Sequence, residues 1–243
     1  YLVGWVALQL LREQAPSLAF DATAGLSLGE FTALAAADAL GFEDGLRVVR
    51  RRGKVMQHAC EASTGGMAAI VGLDEEAVRD VCGQAGVSLA NLNCPGQIVI
   101  SGDADKMEAA CDAAKAAGAK RAIPLPVAGA YHSPLMQPAQ AGLAEALAKV
   151  ELREPSVPVY SNVTGQAHAA AGTIAATMVD QVTSPVKWEA CIRAMIADGI
   201  TRFIELGPGK ALSGFMRRID RDIEMLNVAD CESLAKATES LNA

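Results

Sequence analysis

The sequence predicts an α/β protein with a short, mainly parallel sheet in its larger part and an inserted ferredoxin-like subdomain. Two observations support this prediction. Strand-like runs alternate with helical runs in both halves of the larger part, an order that favours parallel strands with helices packed on them. Between these halves the order changes to β-α-β-β-α-β, which is typical of the ferredoxin-like motif. We therefore assign residues 1–63 and 128–243 to a large core and residues 64–127 to a small subdomain.

The first half of the core begins with an amphipathic or buried helix in "YLVGWVALQLLREQ" and a short buried strand in "LAFDATAG". Helices follow in "SLGEFTALAAADALG", with Gly41 at its expected C-cap, and in "FEDGLRVVRRRGKVMQHACEA". Gly53 inside the second of these helices costs about 1 kcal/mol relative to alanine. A close packing or a substrate contact would explain that glycine.

The small subdomain is predicted from five segments in order. "MAAIVGL" is a strand and "DEEAVRDVCGQAG" a helix with acidic residues at its start. "VSLANLNCPGQIVISGD" contains two strands around a turn, "ADKMEAACDAAKAAG" is a helix, and "AKRAIPLP" is a strand that ends at prolines.

The second half of the core starts with a loop that leads into a helix, in "VAGAYHSPLMQPAQAGLAEALAKV". A strand and turn in "VPVYSNVTG" precede helical runs in "IAATMVDQV" and "VKWEACIRAMIADG". "TRFIELGPGKALSGFMRRI" predicts a strand, a tight turn and a helix. Its "GPGKAL" lacks the GxxxxGK[ST] spacing of a phosphate-binding loop, so we interpret it as a strand-to-helix turn.

Composition excludes several classes of protein. The net charge of −7 argues against a general nucleic-acid binder. No apolar run approaches the roughly 20 residues that span a bilayer, so no membrane association is expected. The six cysteines show no CxxC or metal-like spacing, which predicts reduced thiols and a cytoplasmic protein. The chain starts at Tyr1 rather than Met, and we expect that an upstream piece is missing.

A single serine, Ser27, stands between two glycines in "AGLSLGEF". Gly-x-Ser-x-Gly is either an ordinary turn or a nucleophile elbow, in which flanking glycines remove Cβ atoms that would clash. A serine nucleophile needs a base, and the chain has three histidines. His58 fits a helix surface and His168 a loop tip, whereas His132 in "GAYHSPLM" lies in a loop that glycine and proline can hold in place.

An ordinary α/β-hydrolase also has an acid between the serine and the histidine in chain order. Asp103, Asp105 and Asp112 occupy that interval, but all three fall in the small subdomain. None of them is a persuasive partner for the histidine.

Six segments occur in one order across nearly the whole chain: "GLSLGEFTAL", "RRGKVMQ", "NLNCPGQIVISG", "GAYHSPLM", "SPVKW" and "ELGPGKALSGF". Together they resemble the malonyl-CoA:acyl carrier protein transacylase family of fatty-acid and polyketide synthesis. The resemblance implies a hydrolase-like core beside the ferredoxin-like subdomain. It also implies transfer of a malonyl group from malonyl-CoA to the phosphopantetheine thiol of acyl carrier protein through a malonyl-serine intermediate.

The resemblance assigns roles residue by residue. Ser27 is the implied nucleophile, and His132 is its general base and later the general acid. The backbone carbonyl of Lys187 in "SPVKW" is implied to orient the histidine, which would account for the missing acid. Arg52 is the implied partner of the malonyl carboxylate, since its guanidinium is a flat fork of donors suited to a bidentate pair.

The resemblance also implies an oxyanion hole and an acyl pocket. The backbone N–H of Leu28 is expected to supply half of the oxyanion hole. The family takes the other half from a glutamine in a "GQGSQ"-like segment, which this sequence lacks, so we expect an N-terminal segment to be missing. Leu26 replaces the usual histidine of the family motif and, with Asn91, is expected near the acyl pocket.

Alternatives remain open at this point. They are a polyketide-pathway acyltransferase with a different extender unit, a serine thioesterase or hydrolase, and a non-catalytic binding module. For the transacylase, malonyl-CoA and acyl carrier protein are the expected partners, no cofactor is needed because the CoA thioester is a substrate, and a monomer is expected. A basic rim is expected to steer the acidic carrier protein. Its residues are Arg50, Arg51, Lys54, Lys210, Arg217 and Arg218.

Overall fold

The computed structural model describes residues 1–242, which form ten α-helices, eight strands and one 3-10 turn at Pro134–Met136. The helices are α1 (Leu2–Gln14), α2 (Leu28–Ala36), α3 (Phe42–Glu61), α4 (Glu75–Ala85), α5 (Ala104–Ala116), α6 (Pro138–Leu147), α7 (Ala171–Asp180), α8 (Trp188–Ala197), α9 (Ala211–Ile219) and α10 (Cys231–Asn242). The strands are β1 (Thr23–Ala24), β2 (Gly65–Val71), β3 (Ser88–Cys94), β4 (Gln97–Asp103), β5 (Arg121–Pro124), β6 (Val159–Tyr160), β7 (Arg202–Leu206) and β8 (Glu224–Val228). The chain is therefore a mixed α/β protein, as predicted.

Two short parallel pairs form the strands of the core. β1 pairs with β6 through Thr23 and Val159, and β7 pairs with β8 along five residues of each strand. Helices α2, α3, α6 and α7 bury their apolar faces against one another beside the first pair. Phe31, Leu34 and Leu143 are completely buried there. This packed layer holds the start of α2 and the middle of α3 in fixed positions.

The elements from β2 to β5 form a separate four-stranded antiparallel sheet in the order β3-β4-β2-β5. Helices α4 and α5 cover one face of it, with Ile70 and Ile100 at the centre of their shared core. The opposite face, around Ala90 and Val99, packs against Tyr131 from the core. Because of this contact, the loop that carries His132 lies between the two units.

The short strand expected in "LAFDATAG" is present as Thr23 and Ala24, which are half-buried rather than buried. The expectation for the end of α2 was wrong. Gly41 does not end α2; the helix ends at Ala36 and precedes the N-cap of α3, which is Gly41. Gly53 has no close neighbour, since a Cβ added there would meet no atom within 4 Å. Close packing therefore does not explain the glycine. The sequence interpretation also missed β8 and α10.

Among the helices of residues 1–242, none combines the length and apolar content that crossing a bilayer requires. A cavity of about 1000 Å³ lies between β1 and β7, with α1 and α8 also lining it. Trp188 and Leu26 contribute to its largely apolar wall. It lies next to the start of α2, which carries the candidate site.

Candidate active site

Ser27 lies at a sharp bend between β1 and α2. Its φ angle is +52°, a left-handed value that is uncommon for a residue with a side chain. Two residues earlier, a Cβ added to Gly25 would lie 2.0 Å from the backbone carbonyl of Gly29, so only glycine fits there. The strained serine and the close backbone approach are those of a nucleophile elbow rather than an ordinary turn.

Asn162, which follows β6, holds this bend in place. Its side-chain nitrogen donates to the carbonyl oxygen of Gly25 at 2.9 Å, and its Oδ1 accepts from the backbone N–H of Ser27 at 2.6 Å. The side chain is completely buried, so both bonds are shielded from water. The two hydrogen bonds thereby fix the backbone of the bend on both sides of Leu26, at Gly25 and at Ser27. Sequence interpretation treated this asparagine only as part of a turn.

The structure brings His132 to the serine across 105 positions of the chain. Ser27 Oγ lies 2.9 Å from His132 Nε2. His132 has a φ of +58° and is buried. The next residue fixes the loop, since the hydroxyl of Ser133 donates to the carbonyl oxygen of Ala130 at 2.7 Å. The expectation that this loop aims one imidazole at the serine agrees with the geometry.

The tautomer of His132 follows from its second nitrogen. Nδ1 lies 2.9 Å from the carbonyl oxygen of Gln181, which can only accept, so Nδ1 carries the hydrogen and Nε2 is left with a lone pair toward Ser27. The pKa of His132 is lowered to about 4, mainly by burial and also by the charge of Arg52, which together outweigh the opposing effect of the hydrogen bond to Gln181. The imidazole is therefore neutral near pH 7 and able to accept the serine hydrogen.

The prediction that the Lys187 carbonyl orients the histidine was wrong. Lys187 is the N-cap of α8, and its carbonyl accepts from the N–H of Cys191 in the first turn of that helix. Gln181 is the C-cap of α7, where the last carbonyls of a helix lack intrahelical partners and are free for other donors. The sequence carried no signal for this choice, because any residue can supply a backbone carbonyl.

Arg52, from the middle of α3, reaches the same point. Its Nη2 is 2.9 Å from Ser27 Oγ and 3.2 Å from Gln181 Oε1, and the residue is 6% exposed. Burial lowers the pKa of Arg52 to about 10, with opposing contributions from Glu30 and Tyr131, so the guanidinium remains charged at neutral pH.

The guanidinium of Arg52 is not satisfied by its present neighbours. Its Nε is buried without a hydrogen-bond partner, and none of the ion pairs within residues 1–242 includes Arg52. An unpaired buried cation is costly, and a carboxylate is the group that compensates it best. The position next to Ser27 therefore favours a ligand that carries a negative charge.

The first residue of α2 places a backbone donor beside the serine. The N–H of Leu28 is one of the free donors at a helix N-terminus, and within the described chain no hydrogen bond uses it. The N–H of Ser27 itself is taken by Asn162. Leu28 thus remains available to an oxyanion that forms on a group attached to Ser27 Oγ.

Two predicted substrate-binding residues are not brought into contact with this cluster. The side chain of Leu26 packs against the buried cluster that contains Trp188 and lines the cavity beside β1. Asn91 is buried on β3, where its backbone is bridged to Val186. Neither side chain hydrogen-bonds to the Ser27–His132 pair in the described part of the protein. Their proposed role at an acyl pocket stays a prediction.

A second cavity, of about 400 Å³, reaches His132 from the side of the small sheet. Residues of α4 and β3 line it together with the segment around Thr183 and Pro185. Of the residues gathered around Ser27, His132 is the one that lines this groove. Across residues 1–242, no three His, Cys, Asp or Glu side chains are grouped closely enough to hold a metal ion.

Comparisons with known proteins agree with this geometry. A family model described as "Acyl transferase domain" matches residues 7–238. The "Malonyl CoA-acyl carrier protein transacylase" of Bacillus subtilis (strain 168) is 46% identical over 226 residues, which cover 91% of this chain and 71% of that protein.

Two solved structures are similar along nearly the whole chain. The acyl-carrier-protein S-malonyltransferase from Burkholderia pseudomallei 1710b superposes with a TM-score of 0.93 at 40% identity, covering 98% of this chain and 78% of that one. A malonyl-transacylase solved in complex with a type II PKS acyl-carrier protein gives a TM-score of 0.91 at 38% identity, covering 96% and 78%.

Proposed function

The chain belongs to the acyl transferase family, and on that premise we propose that it transfers a malonyl group from malonyl-CoA to acyl carrier protein. The acyl group passes through an ester on Ser27 and ends on the phosphopantetheine thiol of the carrier. One observation carries the malonyl assignment: a buried, unpaired guanidinium, that of Arg52, lies 2.9 Å from the nucleophilic oxygen. An acyl group with a distal carboxylate satisfies that charge, whereas an acetyl group does not.

In the first half-reaction, Ser27 Oγ attacks the thioester carbonyl while His132 Nε2 accepts the serine hydrogen. The carbonyl oxygen takes up negative charge, and the N–H of Leu28 donates to it. Collapse of this intermediate breaks the C–S bond, and His132 returns the proton to the departing CoA thiolate. The products are the malonyl ester of Ser27 and free CoA.

The second half-reaction runs the same steps in reverse order. The thiol of the carrier gives its proton to His132 and attacks the ester carbonyl, and the serine oxygen leaves with that proton. The main-chain carbonyl of Gln181 accepts from Nδ1 throughout, so His132 gains and loses its proton at Nε2. Every proton moves between serine, imidazole and thiol, so these steps call for no metal or redox cofactor.

We also propose that residues 1–63 and 128–243 form a hydrolase-like core and that residues 64–127 form a ferredoxin-like subdomain. The strand order β3-β4-β2-β5, with α4 and α5 on one face, supports the second assignment. The elbow between β1 and α2 supports the first. The groove that reaches His132 between these units is the proposed path of the phosphopantetheine arm.

The carrier is proposed to dock on the basic rim, whose residues are all exposed. A cytoplasmic setting is proposed from the free cysteines, five of which are buried. A carrier of polyketide synthesis is a second candidate, because one similar structure was solved with such a carrier. The two pathways share the reaction and differ in the partner that accepts the malonyl group.

The test is a two-step acylation assay followed by intact mass spectrometry. Malonyl-CoA is expected to add one malonyl group to the protein, and Ser27→Ala is expected to abolish the adduct. Adding a fatty-acid or polyketide acyl carrier protein in its phosphopantetheinylated form is then expected to discharge the ester much faster than water does. Rapid discharge without any carrier would instead identify a thioesterase, and no adduct on the unaltered chain would indicate a binding module.

A further inference from the structure

Glu30, in the first turn of α2, is completely buried one helical turn from the nucleophile. An acidic residue in the first turn of a helix is common, because the helix dipole favours it, but such residues are normally exposed. A buried carboxylate is costly unless hydrogen bonds compensate its charge. The contacts of Glu30 therefore require an explanation beyond helix stability.

Three donors from distant parts of the chain converge on this carboxylate. Oε2 accepts from Gln181 Nε2 at 2.6 Å and from the backbone N–H of Asn162 at 3.1 Å. Oε1 lies 2.9 Å from His168 Nε2, and both of these side chains are almost fully buried. His168 lies in a loop, as expected, but its imidazole points inward to this carboxylate.

Two of the three donors belong to residues that shape the active site. Gln181 supplies the carbonyl that orients His132, and its side-chain nitrogen also donates to the carbonyl oxygen of Ser27 at 3.1 Å. Asn162 fixes the elbow on both sides of Leu26. Glu30 thus connects the residue that orients the base with the residue that holds the nucleophile.

We propose that Glu30, held by His168, is a positioning residue that keeps Ser27 Oγ and His132 Nε2 at the distance and angle that proton transfer requires. This rests on the proposed function only in that Ser27 is the nucleophile. A carboxylate has two oxygens that accept, which matches the three converging donors. A glutamine in its place has one accepting oxygen, and its amide nitrogen would face at least one donor. The side chains of Gln181 and His168 would then have to turn away from their present positions.

The test measures the reactivity of Ser27 with a fluorophosphonate probe, which reports proton transfer to His132 without any malonyl group. The serine oxygen forms a bond to phosphorus, fluoride leaves, and His132 takes the proton. Glu30→Gln is expected to slow labelling by about 10²-fold, the cost typical of a misplacement near 1 Å. Glu43→Gln, an exposed acid in the first turn of α3, is the matched control and is expected to label at the rate of the unaltered chain.

The His168 variants separate a positioning role from a structural one. His168→Gln keeps a donor for Glu30 and is expected to retain most of the labelling rate, whereas His168→Leu removes the donor and is expected to lose about tenfold or more. If Glu30→Gln does not fold, the labelling rates of the two His168 variants still test the positioning role. Labelling of Glu30→Gln, or of both His168 variants, at the unaltered rate would overturn the proposal, even with a lowered melting temperature. An unaltered chain that labels normally but accepts no malonyl group would overturn the proposed function and leave this inference intact.

Discussion

Replacing Arg52 by alanine is expected to remove selectivity for malonyl without disabling the nucleophile. The guanidinium donates to Ser27 Oγ at 2.9 Å, and His132 Nε2 makes its own 2.9 Å contact with the same oxygen. The contact of His132 does not pass through Arg52. An acetyl group has no carboxylate, so it loses no ionic interaction in the variant. A malonyl group loses the interaction between its carboxylate and the buried guanidinium of Arg52.

The size of the effect follows from the burial of the pair. Removing one member of a buried, hydrogen-bonded charge pair costs about 2–5 kcal/mol. At about 1.36 kcal/mol per factor of ten, kcat/KM for malonyl-CoA is expected to fall by roughly 30- to 5000-fold. For acetyl-CoA the expected change is less than about threefold, since it is only the cost of altered packing around Ser27.

The assay is rapid-quench acylation with malonyl-CoA and acetyl-CoA, read by the mass of the intact protein. Arg47→Ala is the matched control, because Arg47 is an arginine of the same helix that is 69% exposed and paired with Glu43 and Asp44. It is expected to acylate at the rate of the unaltered chain with both substrates. Equal losses for malonyl and acetyl in Arg52→Ala would refute a carboxylate-binding role.

Four further predictions concern the base, the elbow and helix α3. Because burial lowers the pKa of His132 to about 4, the acylation rate is expected to stay level from pH 8 to about pH 5 and to fall below that as the imidazole is protonated; a midpoint near 6.5 would contradict the buried geometry. Gly25→Ala is expected to abolish the stable fold or cost more than about 3 kcal/mol in denaturant unfolding, since the new Cβ meets backbone at 2.0 Å. Gly53→Ala, where nothing lies within 4 Å, is expected to stabilise the protein by about 0.5–1 kcal/mol, and a loss there would be inconsistent with an open helical site. Asn162→Ala is expected to lower the unfolding free energy by about 2 kcal/mol, because two buried hydrogen bonds are lost, and to slow acylation. An unchanged acylation rate would show that this side chain does not hold the elbow in its reactive geometry.

The pairing of Ser27 with His132 was predictable because local residues fix the backbone at both positions. Gly25 permits the elbow, and Ser133 closes the turn that aims His132. These are constraints within five or six residues, which a sequence pattern can record. Arg52 was different, since an arginine on a charged helix is usually exposed, and only the family resemblance singled it out.

The remaining parts of the site depend on contacts that no local pattern encodes. The orienting carbonyl belongs to Gln181, and a carbonyl carries no side-chain signature. Glu30 and His168 lie 138 positions apart, so only the fold reveals that they share a hydrogen bond. For the same reason the sequence did not define the bounds of β1 and β6, because strand length depends on which backbone groups find a partner.

The most direct measurement is a crystal structure of the protein after reaction with malonyl-CoA, with the ester trapped on Ser27. We expect the malonyl carboxylate to accept hydrogen bonds from the Arg52 guanidinium at about 2.7–2.9 Å, with the ester carbonyl oxygen directed at the N–H of Leu28. An ester on another residue, or a carboxylate directed away from Arg52 into solvent, would contradict the account.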